Sequence, residues 1–269
     1  CPIRDSTRVV YSTVNGVGSG SKIWIADFLE WWNTFDTNVE FVALSARDLQ
    51  VHCDLQAFPN LRVYINPGGD AYMQLSSLGV AGTDNIKAFV HRDQRNPSAY
   101  VGICAGTYLA AHDYIWETMY QGADYYDFAT NPPMSLFPHT VEGSIFDIND
   151  DQFGDQSGSK FRVVNVSNGH HMLYYGGSTF GYNGVPDYAD PQSPEYDEDI
   201  EGSVNFNVGA WRYGNLLLSS VHPEASNCTD HEDVDCPPAG TLPMARIWQN
   251  WAWLSTYINE VSQSSFLIP

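Results

Sequence analysis

The sequence predicts an α/β fold: a mostly parallel central sheet flanked by helices, with an antiparallel hairpin extension. Three observations predict it. Short β-branched and aromatic runs alternate with segments of helical periodicity, which is the pattern of βαβ units. Two of the runs end directly in glycine turns, at Pro67-Gly68-Gly69 and at Gly102-Ile103-Cys104-Ala105-Gly106. Two later apolar runs are joined by Tyr213-Gly214-Asn215. The 269 residues contain no repeat and no evident linker, so one domain spanning 1–269 is expected.

The elements follow in order. Arg8-Val9-Val10-Tyr11-Ser12 reads as a first strand. The glycine-rich stretch Asn15–Ser21 lacks the Gly-Lys-Ser/Thr of a phosphate loop and the spacing of a dinucleotide fingerprint, so it reads as a strand-to-helix turn. A helix is expected over Ile23–Phe35, with Ser21 as its cap and Ile25, Phe28, Leu29 and Trp32 as its buried stripe. Trp24 and Trp31 fall toward another side. Val39–Leu44 and Leu61–Ile65 are the second and third strands. Thr83–His91 is a helix, Ala99–Ile103 a strand, and Ala105 to about Met119 a further helix. Phe161–Val166 and His171–Tyr175 form strands around a Ser167-Asn168-Gly169 turn. Val204–Trp211 and Leu216–Val221 form the hairpin. Met244–Val261 closes the chain as a helix, with Ile247, Trp251, Leu254 and Ile258 toward the sheet.

Composition narrows the partners. A net charge of −20 repels nucleic acid and anionic membrane, so neither is an expected partner. No apolar run approaches the roughly 18 residues of a membrane span. The stretch Asp147–Asp155 has alternating oxygen side chains but lacks the glycine and glutamate of a calcium loop. It reads as a solvated acidic loop, and Asp187–Glu201 as an acidic surface loop. The adjacent His170 and His171 would point to opposite faces of a strand, which disfavours a two-histidine metal site. No metal and no cofactor is expected.

There are five cysteines. If Cys104 stays a thiol, the other four can pair: Cys228 with Cys236 across a short polar loop, and Cys1 with Cys53. Two glycosylation sequons, at Asn165 and Asn227, agree with an oxidising compartment. A chain that begins at Cys1 rather than methionine reads as a mature form. A secreted glycoprotein is the expectation.

Two stretches carry chemistry. In Tyr100–Ala111 a short strand reaches Gly-x-Cys-x-Gly and passes at once into a helix-compatible segment. That is the pattern of a nucleophile elbow, which sets the thiol over a helix N-terminus. A buried structural cysteine at a strand–helix junction is the alternative. The second stretch, Leu216-Leu217-Leu218-Ser219-Ser220-Val221-His222-Pro223-Glu224, delivers a histidine with a carboxylate two positions on. A nucleophilic thiol needs a base and a group that orients the base. Residues i and i+2 of an extended chain share a side, so His222 and Glu224 suit those roles. Backbone amides at Gly69 and Ala105 suit an oxyanion hole, since both turns lie at carboxyl ends of strands. Asp70 caps the following segment or touches substrate.

Gly-Ile-Cys-Ala-Gly followed much later by His-Pro-Glu resembles the class I glutamine amidotransferase superfamily. With Asn66-Pro67-Gly68-Gly69-Asp70-Ala71, the chain is most similar to the amidotransferase-like N-terminal domain of eukaryotic biotin–protein ligases, a domain without biotin-ligase chemistry of its own. The resemblance runs from Arg8 to about Glu224 through three short motifs. It implies a flavodoxin-like sheet, Cys104 as nucleophile, His222 as base, Glu224 as its orienter, and Gly69 and Ala105 as oxyanion donors. Tyr174-Tyr175-Gly176-Gly177 is also similar to that family, with Tyr175 where asparagine is expected. Gly68, Asp70 and Tyr175 are the candidate substrate-binding residues. The function expected is that of a cysteine-dependent amidase or amidotransferase-like hydrolase acting on a small-molecule or peptide amide through a thioester. The rivals are a γ-glutamyl-type peptidase and a binding module that kept the scaffold without turnover.

Overall fold

The computed structural model describes residues 1–36, 39–92, 98–116, 132–143, 162–166, 170–174, 177–178, 210–226 and 243–263. The elements run β1 (Thr7–Ser12), α1 (Ser19–Phe35), β2 (Glu40–Leu44), β3 (Val63–Asn66), α2 (Ala71–Val90), β4 (Ala99–Ile103), α3 (Ala105–Ala110), β5 (Asp113–Trp116) and β6 (Thr140–Gly143). They continue with β7 (Arg162–Val166), β8 (His170–Tyr174), β9 (Ala210–Tyr213), β10 (Leu216–Ser219), β11 (Val221–His222) and α4 (Met244–Gln263).

The main sheet has six strands in the order β2-β1-β3-β4-β10-β9. All neighbours are parallel except the β9–β10 hairpin, whose two-residue loop is Gly214-Asn215. The expected architecture is present, antiparallel extension included. Successive side chains of each strand alternate between two cores, as the pleat requires. Val9, Val63, Ile65, Val101, Ile103 and Leu217 meet α1 and α4 on one face. Val10, Tyr64, Tyr100, Leu216 and Leu218 meet α2 and α3 on the other. Ile25, Phe28, Leu29 and Trp32 of α1 are buried as expected, and so are Ile247, Trp251, Leu254 and Ile258 of α4.

Several expectations fail locally. Ser21 does not cap α1: the helix starts earlier, after Gly18, and Ser21 lies within its first turn. The helix expected over Thr83–His91 is the second half of the 20-residue α2. It is interrupted at Gly79, where φ is 56° and the amide of Gln50 donates to the freed carbonyls of Ser77 and Leu78. The helix expected to run on to Met119 stops at Ala110. The amides of Met134, Phe137 and Ser135 bond the carbonyls of Leu109, Ala110 and Ala111, taking the place of another helical turn. The aromatic Asp113–Trp116 run then pairs with β6 as a parallel strand. Tertiary contact here overrides helix propensity.

Cys1 is disulfide-bonded to Cys53, with 5.0 Å between their Cα atoms. Cys228, Cys236, Asn227 and Tyr175 lie outside the described residues, as do the acidic stretches 147–155 and 187–201. Asn165 is placed in β7. No described helix is long and apolar enough to cross a membrane.

Candidate active site

Four adjacent parallel strands, β1, β3, β4 and β10, release their chains at the same edge of the sheet. The segments that follow them are Gly16–Ser21, Pro67–Asp70, Cys104–Ala105 and Ser220–Glu224. Neighbouring carboxyl ends are where an open α/β sheet gathers function. Register aligns them closely: Asn66 pairs with Gly102, and Ile103 with Ser219.

Cys104 sits at a sharp elbow with φ 52° and ψ −107°, one of two non-glycine residues with positive φ among those described. That backbone state is strained by roughly 1–3 kcal/mol and must be held by its surroundings. The Cys104 amide donates to the Ser219 carbonyl at 2.7 Å, and its own carbonyl accepts from Thr107 at 3.0 Å. The Thr107 hydroxyl bridges to the Ser219 carbonyl at 3.1 Å. Gly106 is needed for close approach: a Cβ there would collide with the Asn66 carbonyl. The turn therefore uses its glycines for packing, and Cys104 itself takes the strained conformation. Cys104 is 4% exposed and outside any disulfide.

His222 enters from β11. The chain leaves the main sheet at Ser220 and pairs with β8, setting His222 opposite Leu173. The expectation that His222 and Glu224 share a side of one extended strand is corrected. The chain turns after His222, and the Ala225 amide bonds the His222 carbonyl at 3.2 Å. This turn brings Glu224 Oε1 to 2.8 Å from His222 Nδ1, with both side chains fully buried. The Trp251 indole donates to the Glu224 carbonyl at 2.9 Å and pins the turn to α4. Trp24 meets the imidazole edge-on, at 5.3 Å between ring centroids.

Burial alone would drive His222 toward its neutral form. The Glu224 carboxylate and then the Cys104 thiol outweigh it, and the imidazole is pushed up to about 10. Its Nε2 is buried and makes no hydrogen bond of ordinary geometry among the described residues. A thiol–imidazole bond that is loose without substrate commonly tightens in the complex.

Gly68 is the common wall. A Cβ on it would lie 2.7 Å from His222 Cε1, 2.9 Å from Ser21 Oγ and 3.3 Å from Cys104 Cβ. The thiol residue, the imidazole and the glycine loop thus meet at one point. The loop is braced by Gly18 donating to the Gly68 carbonyl at 3.0 Å and Asp70 to the Gly16 carbonyl at 2.7 Å. Gly69 holds φ 138°, and neither its amide nor that of Ala105 bonds an acceptor among the described residues. Asp70 is the cap of α2, its carboxylate accepting from the Met73 amide at 2.8 Å. The cap is thus present in the geometry.

Sequence reasoning assigned no role in the site to Asn66, Gln74 or Trp24, and gave Ser21 only that of a helix cap. Asn66 donates to Gln74 at 2.6 Å, and the Gln74 amide reaches the Gly16, Pro67 and Gly68 carbonyls at 3.3 to 3.4 Å. The signal for Asn66 was its place directly before Pro67-Gly68-Gly69. Gln74 had no signal, because the helix that carries it was expected to start nine residues later, at Thr83. Among the described residues no group of three His, Cys, Asp or Glu side chains is arranged to hold a metal ion.

A crystal structure of a glutamine amidotransferase is similar over 94% of this chain and 98% of its own, at 17% identity and a TM-score of 0.47. A ThuA-like protein from Bacteroides uniformis is similar over 96% of this chain and 91% of its own, at 12% identity and a TM-score of 0.47. No curated protein matches. The sequence profile described as biotin-protein ligase, N terminal, matches residues 59–238, which include Gly68, Gly69, Cys104, His222 and Glu224. The chain belongs to the biotin–protein ligase N-terminal family.

Proposed function

We propose that this protein is a cysteine-dependent amidase or amidotransferase-like hydrolase that acts on an amide or γ-glutamyl bond through a thioester at Cys104. The observation that carries the reading is the buried 2.8 Å His222–Glu224 pair meeting Cys104 at the wall made by Gly68.

Glu224 holds Nδ1, so Nε2 is the nitrogen that exchanges protons. Nε2 of the raised imidazole already carries the proton of the thiol at rest, and sulfur adds to the amide carbonyl as the thiolate beside it. The carbonyl electron pair moves to oxygen, where the Gly69 and Ala105 amides receive it. One such donor lowers the barrier by roughly 2.7–4 kcal/mol. The oxygen pair returns, the C–N bond breaks, and Nε2–H protonates the leaving nitrogen. Water then adds to the thioester, with His222 taking its proton. The C–S bond breaks, and a carboxylic acid leaves. The raised imidazole supports this order, because it holds the proton on His222 until the leaving nitrogen takes it.

An extracellular, glycosylated setting is part of the same proposal. The Cys1–Cys53 disulfide supports it, since such bonds persist in oxidising compartments. The partner is a small-molecule or peptide amide, and neither nucleic acid nor membrane.

The experiment is covalent labelling by an electrophile with an amide side chain, read by intact mass. Wild type should gain one adduct, and a folded Cys104→Ala variant none. Equal labelling of the two would refute the reading.

A further inference from the structure

A hydroxyl expected only to cap α1 stands in the crevice. Ser21 is 6% exposed and lies in the first turn of α1. Its Oγ has no hydrogen-bond partner among the described residues. A helical serine ordinarily satisfies its hydroxyl by bonding back to its own helix. This one instead faces the wall at Gly68, within contact of the point that His222 Cε1 and Cys104 Cβ also approach. It lies near Gly18 as well, 3.5 Å from where a Cβ on that residue would be. A hydroxyl that faces the crevice and bonds none of the described side chains or carbonyls is open to a hydrogen bond from a ligand.

We propose that Ser21 is a specificity-determining residue of the reaction site, its hydroxyl accepting a hydrogen bond from the N–H of the substrate's leaving nitrogen. The inference rests on the thioester reading given above. The oxyanion already has two main-chain donors on the Gly69 and Ala105 side. The leaving nitrogen must lie beside the imidazole, because His222 hands it a proton. The hydroxyl that shares the Gly68 wall with that ring is Ser21. When the N–H points at Ser21 Oγ, the lone pair that develops on nitrogen turns away from it, toward His222. An ester oxygen has no N–H and gains nothing from this acceptor. Ser21 therefore selects amides over esters.

The test uses γ-glutamyl p-nitroanilide and the matching γ-glutamyl p-nitrophenyl ester. Ser21→Ala suits a helix and should fold as wild type does. Its kcat/KM for the anilide should fall about tenfold, the size of one lost hydrogen bond. Ester turnover should change little, and Ser21→Thr, which keeps the hydroxyl, should restore the anilide. Equal losses on both substrates would make Ser21 a packing residue and overturn the proposal, as would no loss on either. If wild-type protein forms no acyl-enzyme with either substrate, the thioester reading itself fails, and the role of Ser21 falls with it.

Discussion

Trp251 of α4 donates its indole N–H to the Glu224 carbonyl at 2.9 Å, 27 residues back along the chain. The terminal helix is thereby tied to the turn that holds the buried carboxylate against His222. Phe28 and Trp31 of α1 pack on the same indole, at 6.3 Å and 5.6 Å between ring centroids. Trp251→Phe keeps most of the packing and leaves that carbonyl without its donor. A loss of about 1–3 kcal/mol is expected in urea unfolding, together with slower labelling of Cys104. An unchanged midpoint would show that α4 does not support the turn.

Gly68→Ala tests the shared wall. The new methyl would stand 2.7 Å from His222 Cε1, closer than side-chain carbons pack. The ring has to shift, and shifts of about 1 Å in such sites cost on the order of 100-fold in rate. We expect kcat/KM on the anilide to fall at least tenfold, while the fold, read by circular dichroism, is retained. Full activity would mean that the imidazole is free to move without consequence.

The raised His222 predicts a definite pH dependence. Below pH 6.5 the imidazole is protonated in folded and unfolded chains alike, and its partnership with Glu224 contributes fully. Above 6.5 the unfolded chain releases the proton while the folded protein keeps it. That contribution shrinks as pH rises and is gone above about 10. Imidazole resonances should therefore report His222 protonated at neutral pH. In Glu224→Gln the midpoint should drop, and the alkaline loss of stability from this group should disappear. A wild-type midpoint near 6.5 would contradict the assignment.

Asp70 separates capping from substrate contact. Asp70→Ala should lose about 1 kcal/mol of stability through the α2 cap, and Asp70→Ser should keep it. Turnover by the Ser variant should match wild type. A Ser variant that is stable but slow would return Asp70 to the substrate.

Much of this arrangement is legible in the chain, and the gaps have physical causes. Val9/Val10 and Leu216/Leu217 are apolar at successive positions because both faces of the sheet are covered, so the strands declare themselves. The Gly-x-Cys-x-Gly and His-x-Glu motifs place Cys104, His222 and Glu224 because each combines a chemical side chain with local backbone demands. The end of α3 is not legible. It is fixed by the amides of residues 134, 135 and 137, which are distant in sequence. Neither is the role of Ser21, whose hydroxyl matters only once Gly68 has been brought against α1. The strand geometry invoked for His222 and Glu224 predicts the right pair for the wrong reason. A turn closed by Ala225 joins them, and sequence spacing alone does not distinguish the two.

The central claim is that Cys104 takes up an acyl group. Acid quench of the protein during turnover of γ-glutamyl p-nitroanilide, followed by peptide mass analysis, measures that directly. The account predicts a γ-glutamyl increment on the peptide that contains Cys104, absent from Cys104→Ala and accumulating less in His222→Ala. An increment on any other residue, or turnover that persists in Cys104→Ala, would contradict it.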